Sequence, residues 1–328
     1  MMRYRRLGRL GWQVSEVGYG MWGIGGGPGG FTGWDYDTAP ACLDLALELG
    51  CNFFDTAWIY GRGVSEQLLG RVLRDNSDRR IYVATKVPPK NREWPPRAAD
   101  TLDEVFPADH IREYTYKSLE NLGVDRIDLL QLHVWEDRWA ADERWQKAIG
   151  DLKAEGVVDG VGISVNRWEP ENCLRAIDSG LIDVIQVIYN IFDQAPEDEL
   201  FDRALAEDIG IIARVPFDEG GLTGTLTADT TFPAEDWRAT YFGPENLPAT
   251  VERAARLAGD LPPGMSMPEA GLRFILHHPA VSTVIPGMRR AGHVRANLAV
   301  SDGAPLDPAL LERLRGHRWD RRPTAWSM

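Results

Sequence analysis

Short β-rich segments alternate with amphipathic helical segments eight times along the chain, and this alternation constrains the fold more than any other feature. Most of the β-rich segments are apolar on both alternations, as expected of parallel strands that are buried on both faces. The predicted strands are residues 14–21, 51–57, 80–87, 126–134, 157–165, 184–190, 210–216 and 281–287. The predicted helices include residues 39–49, 65–75, 109–122, 142–155, 197–208 and 268–278.

This alternation produces a parallel sheet, either open with helices on both faces or closed into an eight-stranded barrel. The strand count favours the barrel, and so does the lack of a G-x-G-x-x-G motif between the first strand and its helix. The Gly-rich stretch 23–30 does not lead directly into a helix, so we interpret it as a mobile loop. We predict an α/β fold, a (β/α)8 TIM barrel formed by residues 1–328 as one domain. An N-terminal β-hairpin that turns between Gly8 and Gly11 would plug the barrel bottom, and long βα loops, 88–108 and 217–249, would lie at the C-terminal face.

Charge and composition narrow the classes of partner. The chain has 49 acidic and 36 basic residues and a formal charge of −13, which argues against nucleic acid or an anionic membrane as a ligand. The N-terminus lacks the apolar core of a signal peptide, and no apolar run approaches the ~20 residues of a membrane span. We therefore expect a cytoplasmic location and a small-molecule partner. Three scattered cysteines show neither disulfide nor metal-ligand spacing, so no metal is predicted.

Polar residues end six of the predicted strands, and a barrel directs such residues into one mouth. One of them alone would more often cap a helix or face water, but a set on successive strands indicates a site. Tyr60 lies just beyond the second strand. The strand-end residues are Asp55, Lys86, His133, Ser164, Gln186 and Arg214.

Four of these residue types suit the protonation of a carbonyl oxygen. A tyrosine has a pKa near ~10, and a lysine ammonium close to Tyr60 would lower it. Lys86 needs a carboxylate that holds it in place, and Asp55 can serve. A neutral His133 could donate a hydrogen bond that orients a carbonyl.

The motifs around these residues resemble those of the aldo-keto reductases. The opening YRRLGRLGWQVSEVGYGMW is similar to the family's first segment, and NFFDTAWIYG resembles the signature that carries Asp55 and Tyr60. YVATKV matches the lysine motif at Lys86, and SLENLGVDRIDLLQLH matches the run that ends in His133. The resemblance implies a (β/α)8 barrel that reduces aldehydes or ketones by hydride transfer from NADPH. Tyr60 would then be the proton donor, tuned by Lys86 and Asp55, and His133 would orient the carbonyl.

The resemblance also implies a cofactor site. GISVN and IDVIQVIYN are similar to runs whose Ser, Asn and Gln bind the nicotinamide carboxamide, and Asn166 stands one place later than in the family. Arg214 occupies the position of an aromatic residue that stacks on the nicotinamide, and a guanidinium plane can stack in its place. IPGMRRAGHVRAN resembles the segment around the adenosine phosphate, where Arg289, joined by Arg290, would contact the 2′-phosphate and favour NADPH over NADH. The implied cofactor-binding residues are Gly20, Met21, Trp22, Asp55, Ser164, Asn166, Gln186, Arg214, Pro216, Phe217, Gly287, Arg289, His293 and Asn297.

The 12 tryptophans supply flat amphipathic surface. Those near strand ends predict an aromatic substrate pocket that would suit a sugar, an aryl ketone or a polycyclic carbonyl compound. The predicted pocket consists of Trp22, Trp58, Tyr60, His133 and Trp135, with Trp34 and Trp94 on loops that could close over it. We assign Trp12, Trp145, Trp237 and Trp319 to packing.

Two other functions stay open at this point. The chain also resembles potassium-channel β subunits, so it could be a cofactor-binding regulatory subunit, although the complete set of four reactive residues counts against pure regulation. A barrel hydrolase or lyase without a cofactor would leave Arg289 and Gln186 without a role. The substrate, the direction of the reaction and the oligomeric state are not predicted.

Overall fold

The computed structural model describes residues 1–26, 30–33 and 37–321. The strands are β1 (Tyr4–Leu7), β2 (Trp12–Ser15), β3 (Tyr19–Gly20), β4 (Phe53–Asp55), β5 (Tyr82–Val87), β6 (Ile127–Leu132), β7 (Val158–Ser164), β8 (Val184–Ile188), β9 (Gly210–Arg214) and β10 (Val281–Val284). The helices are α1 (Trp22–Gly25), α2 (Ala39–Glu48), α3 (Val64–Asp75), α4 (Leu102–Val105), α5 (Ala108–Leu122), α6 (Glu143–Ala154), α7 (Leu174–Asp178), α8 (Leu200–Ala206), α9 (Trp237–Tyr241), α10 (Asn246–Asp260), α11 (Met267–His277), α12 (Ala291–Ala299) and α13 (Pro308–Arg315). Within this part of the chain, no helix has the length and apolar character to cross a membrane.

Strands β3 to β10 form a parallel sheet in chain order, and its two ends meet. The Gly18 amide donates to the Val284 carbonyl at 2.8 Å, and the Gly20 amide donates to the Pro286 carbonyl at 3.0 Å. A Cβ at Gly20 would lie 2.5 Å from the Ile285 carbonyl oxygen, so this close approach requires glycine. The predicted eight-stranded (β/α)8 barrel is confirmed.

The antiparallel hairpin β1–β2 covers the bottom of the barrel, as predicted. Leu7 and Val14 pack with inward-facing barrel residues, and Trp12 stacks on Tyr82 with 5.1 Å between ring centroids. The turn begins at Gly8, whose φ is +43° and whose Cβ, if present, would lie 2.2 Å from a backbone nitrogen of β9. The hairpin therefore closes the interior with apolar side chains.

The first predicted strand, 14–21, is wrong as one element, because the chain leaves the hairpin after Ser15 and enters the barrel at Tyr19. Glu16 lies at this crossing with its carboxylate buried. It accepts hydrogen bonds from Arg5 Nε at 2.8 Å and from Ser301 Oγ at 2.9 Å. The carboxylate holds the crossing to a C-terminal segment, and this long-range contact is not visible in the local pattern.

The two long loops at the C-terminal face contain short helices that were not predicted. Helix α4 lies within 88–108 and begins with a capping box between Thr101 and Glu104. Helix α9 lies within 217–249 and is capped by Asp236, which also accepts a hydrogen bond from the Thr32 amide at 2.8 Å. The Gly-rich stretch predicted as a loop begins with α1, and residues 27–29 within it lie outside the described residues.

Candidate active site

A cavity of about 1150 Å³ opens at the C-terminal ends of the barrel strands. Apart from Arg290, every residue predicted for cofactor binding lines it, and so do Trp22, Trp58, Tyr60, His133 and Trp135 of the predicted substrate pocket. Lys86 does not line the cavity, because it lies entirely buried between the neighbouring strands. The barrel thus brings together residues that are more than 250 positions apart in the chain, between Gly20 and Asn297.

The lining forms two arcs around the ring of strands. Most predicted cofactor residues follow β7, β8, β9, β10 and β3, which are consecutive neighbours in the closed barrel. Tyr60, Trp58, His133 and Trp135 follow β4 and β6, and Trp94 lies in the loop after β5. We call these the β7–β3 arc and the β4–β6 arc.

Lys86 and Asp55 form a buried ion pair. The Lys86 Nζ atom lies 2.6 Å from Asp55 Oδ1 and donates to the Thr56 carbonyl at 2.8 Å. Burial lowers the pKa of Lys86, and the charge of Asp55 opposes that shift. The expectation that Asp55 holds Lys86 in place agrees with this geometry.

The Tyr60 hydroxyl lies 3.5 Å from Lys86 Nζ. The sequence predicts that Lys86 lowers the pKa of this phenol, but that direction is wrong here. Burial raises the pKa of Tyr60 above its ordinary value, the negative charge of Asp55 adds to the shift, and Arg214 opposes it. Because Asp55 neutralises Lys86, the desolvation of the phenolate dominates. A phenol with a raised pKa stays protonated at neutral pH, but it is a weaker acid than a free tyrosine.

His133 follows β6 and presents its ring edge-on to Tyr60, with 5.8 Å between ring centroids. Burial lowers the pKa of His133 well below its usual range, and the charges of Lys86 and Arg214 act in the same direction. The imidazole is therefore neutral, as predicted. Its Nδ1 atom is buried without a hydrogen-bond partner among the described residues, so one polar atom of the ring remains for another group.

Gln186 holds Asp55 from the side opposite Lys86. Its Nε2 atom donates to Asp55 Oδ2 at 2.7 Å, and Gln131 Nε2 donates to the same oxygen at 3.2 Å. Gln131 was not predicted, although a glutamine inside the apolar strand β6 was a usable signal. Its register partner in the neighbouring strand is Lys86. Gln186 lines the cavity, and its contact with a nicotinamide carboxamide stays a prediction.

Ser164 and Asn166 lie at the end of β7 and face the cavity. Ser164 is buried and pairs in register with Gln186. The Asn166 amide bonds within its own loop: Oδ1 accepts from the Trp168 amide at 2.9 Å, and Nδ2 donates to Glu169 at 3.2 Å. Ser164 is therefore the more available of the two groups.

Arg214 ends β9 and donates from Nη2 to the Val165 carbonyl at 2.9 Å. Its Nε atom is buried without a partner in the described part of the chain. Burial, with the charge of Arg167 next in size, lowers the pKa of Arg214 to about 10, so the guanidinium is charged at neutral pH. The side chain thus brings a cation and an unused donor to the cavity.

Arg289, His293 and Asn297 line the far end of the β7–β3 arc. Arg289 donates to the Thr32 carbonyl at 2.5 Å, and its guanidinium lies 5.6 Å from the Phe31 ring. Arg290 is exposed and does not line the cavity, so its predicted place beside Arg289 is not supported.

The division of the tryptophans between the cavity and the packed interior differs from the prediction. Trp22 stacks near Tyr60 at 6.3 Å, and Trp94 meets the His133 ring edge-on at 5.8 Å. Trp135 contributes little open surface because it is 1% exposed and packs against other tryptophans. Trp237, assigned to packing, lines the cavity 6.4 Å from Trp22. Trp34 lies outside the described residues.

Glu219 lines the cavity and was not among the predicted site residues. Burial raises its pKa to about 7, and the positive charges of Arg167 and Arg214 oppose the shift. Its φ is +55°, and Val215 and Asp218 in the same loop have φ values of +54° and +47°. Left-handed backbone at a β-branched residue is strained, so tertiary contacts must hold this loop.

A buried charge cluster supplies those contacts. The Asp218 carboxylate accepts hydrogen bonds from Arg321 Nη2 at 2.8 Å and from Arg167 Nη1 at 3.3 Å, and the Tyr241 hydroxyl also donates to it. Arg321 comes from the C-terminal segment and Arg167 from the loop after β7. We call Arg167, Asp218, Tyr241 and Arg321 the Asp218 cluster. It joins three distant segments beneath the loop that carries Glu219.

The cavity fits a nicotinamide dinucleotide. Its volume slightly exceeds the ~300–1,000 Å³ of ordinary small-molecule pockets. The donors suit the chemistry, since guanidinium groups bind phosphates and buried hydroxyl and amide groups bind a carboxamide. The unpartnered nitrogen atoms of His133 and Arg214 provide donors or acceptors that a bound molecule would satisfy.

Residues 16–318 match the sequence model of the aldo/keto reductase family. The chain is 30% identical over 318 residues to the uncharacterized oxidoreductase YqkF of Bacillus subtilis, covering 96% of each chain. It is 28% identical to the NADH-specific methylglyoxal reductase of Escherichia coli, covering 89% of this chain and 91% of the relative. The holo form of the aldo-keto reductase AKR11C1 from Bacillus halodurans superposes with a TM-score of 0.77 at 25% identity, covering all of both chains.

A probable voltage-gated potassium channel subunit beta of Oryza sativa is 26% identical, covering 95% of each chain. The relatives thus include reductases and a channel subunit, and residue chemistry must decide between these roles.

Proposed function

Because the chain belongs to the aldo/keto reductase family, an oxidoreductase family that uses a nicotinamide cofactor, we propose that it reduces an aldehyde or ketone to an alcohol with NADPH and with Tyr60 as proton donor. The observation that carries this proposal is the Tyr60 hydroxyl beside the buried Lys86–Asp55 pair and opposite a neutral His133.

A bound nicotinamide supplies a hydride, and Ser164, Gln186 and Asn166 would hold its carboxamide. Arg214 would lie against its ring, and Arg289, His293 and Asn297 would contact the adenosine end. The carbonyl oxygen would lie between Tyr60 and His133. His133 orients it by a hydrogen bond, and Tyr60 transfers the hydroxyl proton to it. The Lys86 ammonium, which Asp55 holds and which lies 3.5 Å from the hydroxyl, would offset part of the desolvation cost of the phenolate that the transfer leaves behind.

The test follows NADPH absorbance with a panel of aldehydes and ketones, including sugars and aryl ketones. Tyr60→Phe should lower kcat by roughly 10²–10⁴-fold, because the transferred proton is lost. Its NADPH dissociation constant should stay near that of the wild type, because the hydroxyl is not placed against the cofactor. Near-normal turnover of Tyr60→Phe would overturn the assignment.

The preference for NADPH rests on Arg289. Arg289→Ala removes the guanidinium that would bind the 2′-phosphate. The variant should therefore bind NADPH more weakly and NADH as tightly as the wild type. Arg290→Ala is the matched control, because Arg290 is the exposed neighbour of Arg289. Equal affinity of the wild type for the two cofactors would contradict NADPH specificity, which the name of the Escherichia coli relative makes a real alternative.

A regulatory subunit is the second candidate, supported by the similarity to the rice channel subunit. Such a protein would bind NADPH without carbonyl-dependent oxidation of it. The arrangement of Asp55, Tyr60, Lys86 and His133 favours the reductase. Family membership argues against a hydrolase or lyase that lacks a cofactor. The cytoplasmic location stays a prediction that cell fractionation tests.

A further inference from the structure

Two arginines on the β4–β6 arc have no role in the proposed reaction. Arg62 lies two residues beyond Tyr60, Arg92 lies in the loop after β5, and both line the cavity. Among the described residues, the other charged group that lines this arc is Asp55, which Lys86 neutralises. The side of the cavity that faces away from the predicted cofactor residues therefore carries uncompensated positive charge.

Neither guanidinium has a carboxylate oxygen within 4.0 Å among the residues that the structure describes. Other arginines, Arg71 and Arg290 among them, also have no carboxylate this close in the described part of the chain, but these two do not line the cavity. Some partly buried arginines elsewhere pair closely, such as Arg273 with Asp302 at 2.8 Å and Arg318 with Asp198 at 2.6 Å. Arg62 and Arg92 thus keep charged donors that no described carboxylate satisfies.

Contacts hold the Arg92 side chain in place. Nη2 donates to the Tyr114 hydroxyl at 2.9 Å, and the guanidinium lies 5.4 Å from the centre of the Trp58 ring and 5.8 Å from that of Tyr114. These contacts use one of its five N–H donors and pack its plane against aromatic surface. The remaining donors can bind an anion without first ordering the side chain.

The backbone at both arginines is also unusual. Arg62 has a φ of +54° and Arg92 a φ of +61°, in the left-handed region that long side chains seldom occupy. Both residues line the cavity.

We propose that the substrate is a carbonyl compound that carries a carboxylate or phosphate group, bound by Arg92 and Arg62 while its carbonyl lies at Tyr60 and His133. A guanidinium binds either anion through two parallel hydrogen bonds. Trp58 and Trp94 provide flat surface for an apolar portion between the two ends. The identification as substrate rests on the proposed reductase function, whereas the anion site rests on the arginines alone.

The first experiment compares 4-carboxybenzaldehyde with methyl 4-formylbenzoate, which has the same ring without the charge. The wild type should favour the carboxylate by roughly tenfold or more in kcat/KM, mainly through KM, because charged hydrogen bonds are strong. The double variant Arg62→Gln/Arg92→Gln should abolish this ratio. Arg71→Gln removes the same charge from the exposed face of α3, outside the cavity, and should keep it. Equal rates for both aldehydes in the wild type, or an unchanged ratio in the double variant, would overturn the proposal.

Adding 4-formylphenyl phosphate to the comparison distinguishes a phosphorylated substrate from a carboxylated one. A higher kcat/KM for the phosphate than for the carboxylate assigns a phosphorylated substrate, and the reverse order assigns a carboxylate. The advantage of either anion should shrink as NaCl is raised, since exposed charges are screened. Arg62 and Arg92 are exposed, so an advantage that is insensitive to salt would contradict these arginines as its cause.

Binding without turnover separates this proposal from the reductase assignment. Quenching of tryptophan fluorescence can follow 4-(hydroxymethyl)benzoate and its neutral amide, because several tryptophans line the cavity. The benzoate should bind the wild type at least about tenfold more tightly than the amide, and the double variant should bind both equally. If no aldehyde oxidises NADPH but this difference is seen, the reductase assignment fails and the anion site stands. Equal binding of both compounds to the wild type overturns the anion site.

Discussion

The Nζ atom of Lys86 lies 2.6 Å from Oδ1 of Asp55, and both side chains are almost wholly shielded from solvent. Burial disfavours the Lys86 ammonium, and the charge of Asp55 and its hydrogen bond with Lys86 oppose that effect. Two glutamine amides hold the second Asp55 oxygen, Gln186 at 2.7 Å and Gln131 at 3.2 Å. The pair thus links neighbouring strands inside the barrel, and its charges lie next to the Tyr60 hydroxyl.

Asp55→Asn should destabilise the fold and reduce turnover. Without the carboxylate, burial lowers the pKa of Lys86 unopposed, and an unpaired buried charge costs about 3–5 kcal/mol. Urea unfolding and kcat measure the two effects. Asp208→Asn is the control, because Asp208 pairs with Arg6 at 2.5 Å where both side chains are about half exposed. Such a surface pair contributes about 0–1 kcal/mol. Equal losses of stability in Asp55→Asn and Asp208→Asn would show that the Lys86–Asp55 pair contributes no more than a surface ion pair.

Glu219 should make stability depend on pH. Burial raises its folded pKa from 4.5 to about 7, so the folded chain holds a proton there that the unfolded chain releases. Stability associated with Glu219 is therefore present below pH 4.5 and lost as the pH rises to about 7. The free energy of unfolding of Glu219→Gln minus that of the wild type should grow across this window and level off above it. Urea unfolding at several pH values measures this, with Glu245→Gln, an exposed carboxylate, as control. A difference that is constant with pH would refute the assignment.

Asp218→Asn should loosen the loop that carries Glu219. The change removes one of two carboxylates beside the buried Arg167 and Arg321 guanidinium groups. Asp193 stays 2.8 Å from Arg321, so the cost should be below the roughly 3–5 kcal/mol of an unpaired buried charge. NADPH affinity should fall as well, since the strained loop borders the predicted cofactor residues Pro216 and Phe217. Thermal unfolding and cofactor titration measure the two effects. Asp198→Asn breaks the exposed pair with Arg318 and should change neither by much. Unaltered NADPH binding in a destabilised Asp218→Asn would limit the cluster to a structural role.

Trp22→Ala should mainly change KM, whereas Trp135→Ala should mainly lower the free energy of unfolding. Trp22 faces the cavity, so its removal should raise KM for the substrate with little loss of stability. Trp135 is buried against Trp139 and Trp145, so its removal should cost about 3–5 kcal/mol. Steady-state kinetics and urea unfolding on both variants check the contrast. An unchanged KM for Trp22→Ala would remove that side chain from the substrate pocket.

The barrel itself was predictable because its elements are encoded locally. Apolar runs bounded by turn signals identify buried parallel strands, and amphipathic periodicity identifies the helices between them. Once the strands close in order, the strand-end residues Asp55, Lys86, His133 and Ser164 must meet at one mouth. The first strand was misplaced because the chain leaves the hairpin at Glu16, whose carboxylate is held by Ser301, 285 residues away in sequence.

Tertiary structure alone decided how the groups at that mouth are paired and charged. Motifs identify Tyr60 and Lys86, but the direction of the Tyr60 pKa shift depends on burial and on how completely Asp55 neutralises Lys86. The Asp218 cluster joins segments that lie more than 100 residues apart, between Asp218 and Arg321. The lack of a carboxylate beside Arg62 and Arg92, within the described ranges, depends on where each of those carboxylates lies in space. The sequence predicts which strand-end residues reach the cavity, because the periodicity that marks each strand is local. Desolvation and ion pairing depend on all neighbours in space, so only the folded chain determines them.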